Sequence, residues 1–270
     1  MIRFVFLLLA SSMVYAQSNR FYYELKFKPD TIANQEIKEF FITDINPKSV
    51  KYFSLIDYKN DSITKNVSSE SRYERTQLYH YIKRDRNSFD NINYLSAGST
   101  PVQLKSHDEM KWSILPETKM MGSIKVQAAR THFGGRQWTA WFAESIPFPE
   151  GPYKFRGLPG MILEIYDDRR YYHFTLVRNK VLDKEYNTSG IVETFFGEKP
   201  LLIDKKKYIQ LKLQEYADPL ADMKGGNMPT LIDEHGNKIS VDFKQMTIEA
   251  QRELKSNNNF IEKEFIINYK

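Results

Sequence analysis

Apolar and polar residues alternate over short runs along most of this chain, which is the spacing of half-buried β-strands. The first run, residues 21–28, ends at Pro29-Asp30, and two more follow at residues 39–45 and 50–55. The connections between these runs are too short for parallel crossovers. The pattern therefore predicts that the N-terminal part is an antiparallel meander.

The most regular alternation lies between residues 102 and 177 and predicts a series of further strands. A strand over residues 110–115 is expected to stop at Pro116, whereas Gly134-Gly135 is a favoured hairpin turn between residues 125–131 and 136–142. Within the second of these strands, Trp138 and Phe142 share one face and Trp141 lies on the other. Strands over residues 161–166 and 171–177 complete the series.

Helical spacing is clearest in the last third of the chain. Ile209, Leu213 and Tyr216 predict a helix over residues 206–216 that breaks at Asp218-Pro219. A hairpin is expected around residues 233–237, and a charged surface helix over residues 247–255. The polar stretch from residue 57 to residue 93 fits either a long surface loop or an amphipathic helix, and the pattern does not choose between them.

These elements predict a mainly β protein, with α+β as the neighbouring class. We expect a large curved antiparallel sheet or an open barrel, with one or two helices of the C-terminal third packed against it; a closed barrel is the alternative. Residues 17–270 are expected to form a single domain, because an all-β domain of this length is ordinary.

The tightest backbone constraints lie at residues 151–160, immediately before the strand over residues 161–166. Glycine can adopt positive φ, and proline fixes its own φ and restricts the residue before it. We expect a structural corner in which the chain reverses. The residues assigned to this corner are Gly151, Pro152, Gly157, Leu158, Pro159 and Gly160.

The segment from Phe155 to Ile165 resembles the signature of the GLPGLI family, with Met161 in place of the second leucine of the motif. The resemblance extends through residues 138–142 and 146–153 and, more loosely, across most of the chain. Val126 and residues 259–262 depart from the family pattern. The resemblance implies an exported protein of a Gram-negative bacterium, often associated with TonB-dependent outer-membrane receptors; it implies no established activity and no catalytic residues.

The first sixteen residues combine Arg3, an apolar core and a small-residue end at Ala16, which is the pattern of a cleavable signal peptide. The chain has no cysteine, so it lacks the lipid-bearing residue of a lipoprotein, and no stretch is long enough for a membrane-spanning helix. We therefore expect a periplasmic protein. The net charge of +5 is spread along the chain and does not indicate nucleic-acid binding.

No catalytic or metal-binding motif is visible. The five histidines are isolated, the serine elbow Gly-x-Ser-x-Gly is missing, and Gly157-Leu158-Pro159-Gly160 precedes a strand and lacks the ending of a phosphate loop. The sequence thus predicts a protein without enzymatic activity, cofactor or metal. A hydrolase whose acidic and histidine residues meet only in the fold is the contrary hypothesis.

The aromatic and basic residues around the corner are the candidate site for a ligand or partner. They would rim a hydrophobic groove on pre-ordered loops, with Lys154 and Arg156 on its exposed approach; ordinary core packing is the other interpretation. A periplasmic accessory protein for an outer-membrane receptor and a carrier of a lipid or other apolar ligand are both consistent with such a groove. The candidate residues are Trp138, Trp141, Phe148, Tyr153, Lys154, Phe155, Arg156 and Leu158.

Overall fold

The alternating runs form one sheet in the computed structural model, which describes residues 17–33, 35–66, 76–194, 197–225 and 242–269. The predicted signal peptide and the predicted hairpin around residues 233–237 lie outside these residues. The strands are β1 Ser18–Phe27, β2 Ile37–Ile45, β3 Ser49–Ser54, β4 Tyr81–Asp85, β5 Asp90–Ala97, β6 Thr100–His107, β7 Ser113–Met121, β8 Ile124–Phe133, β9 Arg136–Ala143, β10 Met161–Asp167, β11 Tyr172–Leu182 and β12 Leu201–Leu202. The helices are α1 Leu55–Asn66, α2 Lys205–Ala217, α3 Ala221–Gly225 and α4 Phe243–Ser256, followed by a 3₁₀ turn at Lys263–Phe265.

The first described strand, β1, lies in the middle of the sheet, between two meanders. The strand order is β12-β6-β5-β4-β3-β2-β1-β11-β10-β9-β8-β7, and every pair is antiparallel except β12 with β6. The first meander runs from β1 to β6; the second starts at the far edge with β7 and returns through β11 to β1. The sheet is not closed. A mainly β, open antiparallel sheet is therefore confirmed, and the closed-barrel alternative is wrong.

The pairing of β1 with β11 joins the two meanders along the whole length of β1, from Ser18 opposite Leu182 to Phe27 opposite Tyr172. Tyr23 and Leu25 are fully buried within this central pair. The joint is therefore part of the main hydrophobic core, not a boundary between two cores.

The two faces of the sheet are covered by different segments of the chain. One, here called the loop face, bears Tyr23, Tyr52 and Trp138 and is covered by residues 144–160 and the C-terminal segment. On the other face, beside α1, the Arg20–Asp44 ion pair is buried with nitrogen and oxygen 2.7 Å apart, and the guanidinium lies 4.4 Å from the ring centre of Tyr58. Charged groups on that face are thus paired beneath aromatic rings.

Two predictions need correction. The stretch over residues 57–93 is neither one loop nor one helix: it contains most of α1, the whole of β4 and the start of β5, while residues 67–75 lie outside the described residues. Strand β7 does not stop at Pro116 but passes through it, with a shift of register between Ile114 and Thr118. Proline is tolerated there because β7 is an edge strand and Pro116 lies in the irregular stretch between the paired residues Ile114 and Thr118, where no ladder hydrogen bond from its nitrogen is needed.

The C-terminal helices follow the predicted pattern. Asp204 caps α2 by accepting a hydrogen bond of 2.7 Å from the backbone N–H of Lys207, and Asp242 caps α4 in the same way. Helix α2 ends before Asp218-Pro219, as predicted, because proline cannot continue a helix interior. None of the helices in the described ranges has the length and apolar character needed to cross a bilayer.

Candidate functional site

Residues 149–157 form a tight hairpin that lies on the loop face. Glu150 and Arg156 form an isolated antiparallel bridge, and the backbone N–H of Phe155 donates to the carbonyl of Pro152 at 3.1 Å. Tyr153, at the tip, has φ +57°, in the left-handed region that residues other than glycine rarely adopt. The hairpin therefore holds a strained residue in place, and that residue is buried.

The glycines of the corner have two separate roles. Gly157 has φ +99°, which a residue with a side chain adopts only with strain. Gly160 is not among the glycines with positive φ; instead, a Cβ at Gly160 would lie 2.1 Å from the carbonyl oxygen of Ala143. Close approach of two backbone segments, not φ, is therefore what requires glycine at residue 160.

The side chains of the hairpin point into the core and not toward solvent. The Phe155 ring is fully buried with its centre 4.6 Å from that of Trp138, and Leu158 is buried beside it. Lys154 and Arg156 are 1% and 5% exposed. The prediction that these two cations lie on an exposed approach is wrong, because the hairpin folds inward over the sheet.

The eight candidate residues do not line one surface. Trp141 lies on the opposite face of the sheet, where the Lys119 ammonium is 4.2 Å from its ring centre, and Phe148 packs edge-on against Phe21 at 5.6 Å between ring centres. The remaining six are buried, and four of them belong to the hairpin itself. A role for any of these residues in binding a ligand or partner stays a prediction.

Lys154 belongs to a closed ring of polar contacts. The ammonium lies 2.7 Å from the Glu262 carboxylate and 3.2 Å from that of Asp108, and its side chain is 0% exposed. Each member of the ring contacts the next, and the last returns to the first. In order the members are Lys154, Asp108, Ser106, Asn93, His80, Tyr153 and Glu262. We refer to them as the Lys154 network.

Burial shifts the pKa values of three groups in the network so that their neutral forms are favoured. Desolvation and the charge of Lys154 lower the pKa of His80 to about 3, so its imidazole is neutral at ordinary pH. Desolvation raises the pKa of Glu262 against the opposing effect of Lys154, and it raises that of Tyr153 well above its usual value. Burial therefore favours the neutral forms of His80, Tyr153 and Glu262 around the Lys154 side chain.

A second buried cluster joins the hairpin to β4. The Arg84 guanidinium contacts Glu150, and the Arg156 Nε lies 3.4 Å from the other carboxylate oxygen of the same residue. Burial lowers the pKa of Arg84, and the nearby charge of Arg156 adds to this effect. Two guanidinium groups thus share one carboxylate.

Arg136 ties the C-terminal segment to the sheet. Its guanidinium donates to the carbonyls of Ile261 at 3.0 Å and Phe260 at 2.7 Å, to the side-chain oxygen of Asn259, and to Asp167 at 3.0 Å. This contact holds the segment that places Glu262 beside Lys154, more than a hundred residues away in sequence.

Sequence reasoning missed the partners of these clusters, namely His80, Arg84, Asp108, Arg136, Glu150 and Glu262. The only signal was weak: Glu150 borders the signature, and Glu262 ends the segment at residues 259–262 that was compared with the family pattern. Nothing in the local pattern joins these residues, because they come from different strands and from the C-terminal segment.

An aromatic groove of about 240 Å³ opens next to the Lys154 network, between β1, β5, α2, α4 and the C-terminal segment. His80 and Lys212 are also part of its wall. Its aromatic lining consists of Phe27, Tyr79, Tyr172, Tyr208, Phe260 and Tyr269. Rings with polar edges favour contact with apolar groups that carry a hydrogen-bonding end.

A larger cavity of about 430 Å³ lies between the β7–β8 hairpin and the start of the 144–160 loop. Its wall mixes polar residues such as Thr118, Gln127 and Glu144 with apolar ones such as Val126 and Phe142, and it includes none of the eight predicted residues. Among the residues that the structure describes, no group of three or more histidine and acidic side chains is placed to hold a metal ion.

The arrangement brings acids, bases and a lysine together at short range, but His80 is the one member of the network that lies in the groove wall. Catalysis needs a reacting atom within about 3 Å of these groups. Lys154 is fully enclosed, and its partner Glu262 is 3% exposed. The chemistry that the network performs in this structure is therefore mutual charge compensation.

Residues 93–164 match the model of a family described as "Protein of unknown function (Porph_ging)". The matched segment runs from β5 to β10 and includes the hairpin and the corner. No curated protein matches the chain significantly.

Solved structures share the fold at low identity. Two crystal forms of a protein titled PNGF-II, in space groups C2 and P2₁, superpose with TM-scores of 0.53 and 0.52 at 12% sequence identity. The alignments cover 73% of this chain and 33% of the other, so this chain spans about a third of the length of PNGF-II. At this identity the likeness concerns the fold alone.

Proposed function

We propose that this protein is a non-enzymatic binding protein of the GLPGLI type that serves as a periplasmic accessory to an outer-membrane system with a TonB-dependent receptor. The observation that carries the proposal is the aromatic groove beside the C-terminal segment. The polar network next to the groove supports it, because the acid and base groups there are engaged with one another.

The size of the groove favours a polypeptide partner over a lipid. Pockets that enclose small-molecule ligands are commonly about 300–1,000 Å³. A groove of about 240 Å³ suits one or two apolar side chains of an extended segment better than an acyl chain. Carriage of an apolar ligand stays the second hypothesis, and native mass spectrometry of protein from its own host would reveal a retained ligand.

Helix α4 offers a matched pair of variants for the test. Leu254 is half-buried in the groove wall, whereas Ile248 is 42% exposed on the same helix and is not part of that wall. Tagged wild-type, Leu254→Ser and Ile248→Ser proteins would be used to capture partners from outer-membrane extract of the host. We expect a TonB-dependent receptor to be captured by wild type and by Ile248→Ser, and to be lost with Leu254→Ser.

Equal capture by all three proteins would remove the groove as the binding surface. Absence of any outer-membrane receptor, under conditions that preserve known receptor complexes, would remove the proposed function. Circular dichroism would show that both variants are folded.

A further inference from the structure

Arg84, Arg156 and Glu150 form a buried cluster with more positive than negative charge. Their side chains are 1%, 6% and 3% exposed. Glu150 is the one carboxylate that contacts either guanidinium among the ion pairs of the described residues. A buried charge is costly unless it is paired and hydrogen-bonded.

The cluster also contains hydrogen-bond donors that have no acceptor among the described residues. Arg84 Nε and Nη1 and Arg156 Nη1 are buried without a hydrogen-bond partner. Native structures rarely leave buried donors unmatched, and an unmatched set of charged donors calls for an acceptor. These three nitrogens belong to two guanidinium groups close enough for the charge of one to depress the pKa of the other.

Nearby carboxylates are already engaged elsewhere. Asp108 contacts Lys154 at 3.2 Å and accepts a hydrogen bond of 2.9 Å from Asn91, which lies opposite Arg84 across β4 and β5. Glu262 contacts Lys154 at 2.7 Å. The neighbouring network therefore has two carboxylates for one ammonium, and neither carboxylate reaches the arginines.

The cluster lies just below the surface. The half-buried Phe89 ring lies 4.5 Å from the Arg156 guanidinium, and a Cβ at the exposed Gly157 would lie 3.7 Å from the same ring. A partly exposed ring thus covers the Arg156 guanidinium.

We propose that Arg84 and Arg156 bind a small oxyanion, a carboxylate or phosphate group, which accepts the hydrogen bonds that Glu150 leaves unmet. Planar guanidinium groups match the two oxygens of such anions. A neutral water molecule would accept hydrogen bonds but would not offset the excess charge. The proposal is independent of the aromatic groove and of the function proposed for it.

The test measures thermal stability at constant ionic strength while the anion is exchanged. Sodium formate and sodium phosphate are compared with sodium chloride, because formate and phosphate separate the two sources of oxyanion and chloride lacks the paired oxygens. We expect one of the oxyanions to raise Tm by about 3–6 °C over chloride when it is present at about ten times its Kd.

Two variants locate the effect. Arg156→Gln leaves Arg84 and Glu150 as a balanced pair and is expected to abolish the oxyanion effect. Arg130→Gln changes an exposed arginine of β8 and is expected to preserve it. Crystals grown with sodium selenate would then show an anomalous peak between Arg84 and Arg156 in wild-type protein.

The proposal is overturned by equal Tm values in all three salts, or by an oxyanion effect that persists in Arg156→Gln. An anomalous peak only at other residues would also overturn it. If Arg156→Gln does not fold, the salt comparison and the position of the selenate in wild type decide the matter.

Discussion

At the scale of single residues, Gly160 shows how a backbone contact can demand glycine without any unusual φ. Its Cα faces the Ala143 carbonyl so closely that a Cβ would lie 2.1 Å from the oxygen. By contrast, Gly122 has φ +61° and no atom within 4 Å of an added Cβ. The two glycines separate the cost of a clash from the cost of strained φ.

Gly160→Ala should therefore destabilise the protein more than Gly122→Ala. We expect at least about 2 kcal/mol for the clash at residue 160 and about 1 kcal/mol for the strain at residue 122. Urea unfolding at constant temperature would give both free energies. Equal losses would mean that the corner relaxes away from Ala143 at little cost.

The Lys154 ammonium is buried, and its removal should lower the free energy of unfolding strongly. Lys154→Met leaves Glu262 without its counter-charge, and we expect a loss of about 3–5 kcal/mol at neutral pH. Lys125→Met, at an exposed position of β8, should change stability by less than about 0.5 kcal/mol. Chemical denaturation of both variants provides the comparison, and a loss below 1 kcal/mol at Lys154 would contradict the role of the network.

The loss in Lys154→Met should also depend on pH. The raised pKa of Glu262 means that its contribution to stability is fully present below the ordinary value of 4.5 and is lost as pH rises through the folded value. Without Lys154 the charged form is still less favourable. The deficit of the variant should therefore shrink in acid, where Glu262 is protonated in both the folded and unfolded states.

His80 gives a pH dependence of its own. Its pKa is about 3 in the fold against 6.5 when unfolded, so below 6.5 the unfolded chain binds a proton that the native protein does not. Stability is then lost as pH falls, at about 1.4 kcal/mol per pH unit between these values. His80→Gln should lack this component in pH-dependent urea unfolding, whereas His132→Gln, at an exposed position, should retain it.

At the scale of elements, the C-terminal segment is an integral part of the core although it contains little regular structure. Arg136 donates to two of its carbonyls, and the carbonyl of Gly134 accepts from the backbone N–H of Lys263 at 2.8 Å. The segment thus closes over the β8–β9 turn, and its Glu262 completes the Lys154 network.

Arg136→Lys should loosen this segment, since lysine keeps the charge but cannot reproduce the planar set of donors. We expect a loss of about 2 kcal/mol or more, with faster amide exchange at residues 259–263. Arg130→Lys is the control on the preceding strand. Unchanged exchange in the segment would show that packing of Ile261 and Phe265, and not Arg136, holds it in place.

At the scale of the whole molecule, the first strand of one meander pairs with the last strand of the next, far away in sequence. Each meander has strands paired to chain neighbours, but the β1–β11 pair links residues about 150 positions apart. Such long-range pairing slows folding and makes neither meander complete without the other.

Unfolding should consequently be a single cooperative transition, and the tryptophans offer a direct test. Trp112, Trp138 and Trp141 all lie in the second meander or just before it, so fluorescence reports on that part alone. Phe53→Leu in the buried strand β3 should lower the fluorescence midpoint and the circular dichroism midpoint equally. A fluorescence transition that the substitution leaves unmoved would show two independently folding units.

Most strands and the C-terminal helices could be predicted from the sequence because their signals are local. Alternation over residues 136–142 placed Trp138 and Phe142 together, Gly134-Gly135 marked a hairpin with both φ values positive, and Asp218-Pro219 marked a helix end. Helix α1 and strand β4 escaped prediction because their short polar stretches have no clear period. The prediction that a strand ends at Pro116 was wrong, because the effect of a proline depends on whether its strand lies at the edge of the sheet.

Only the tertiary structure determines that the side chains of Lys154 and Arg156 are buried. Local pattern determined that residues 151–160 turn sharply and enter a strand, since that follows from the φ restrictions of glycine and proline. Whether the turn then faces solvent or core depends on which strands lie beneath it. The return of β11 to β1 brings the two meanders together beneath the hairpin. Carboxylates then make burial of the two cations tolerable: Asp108 and Glu262 pair with Lys154, and Glu150 pairs with Arg156.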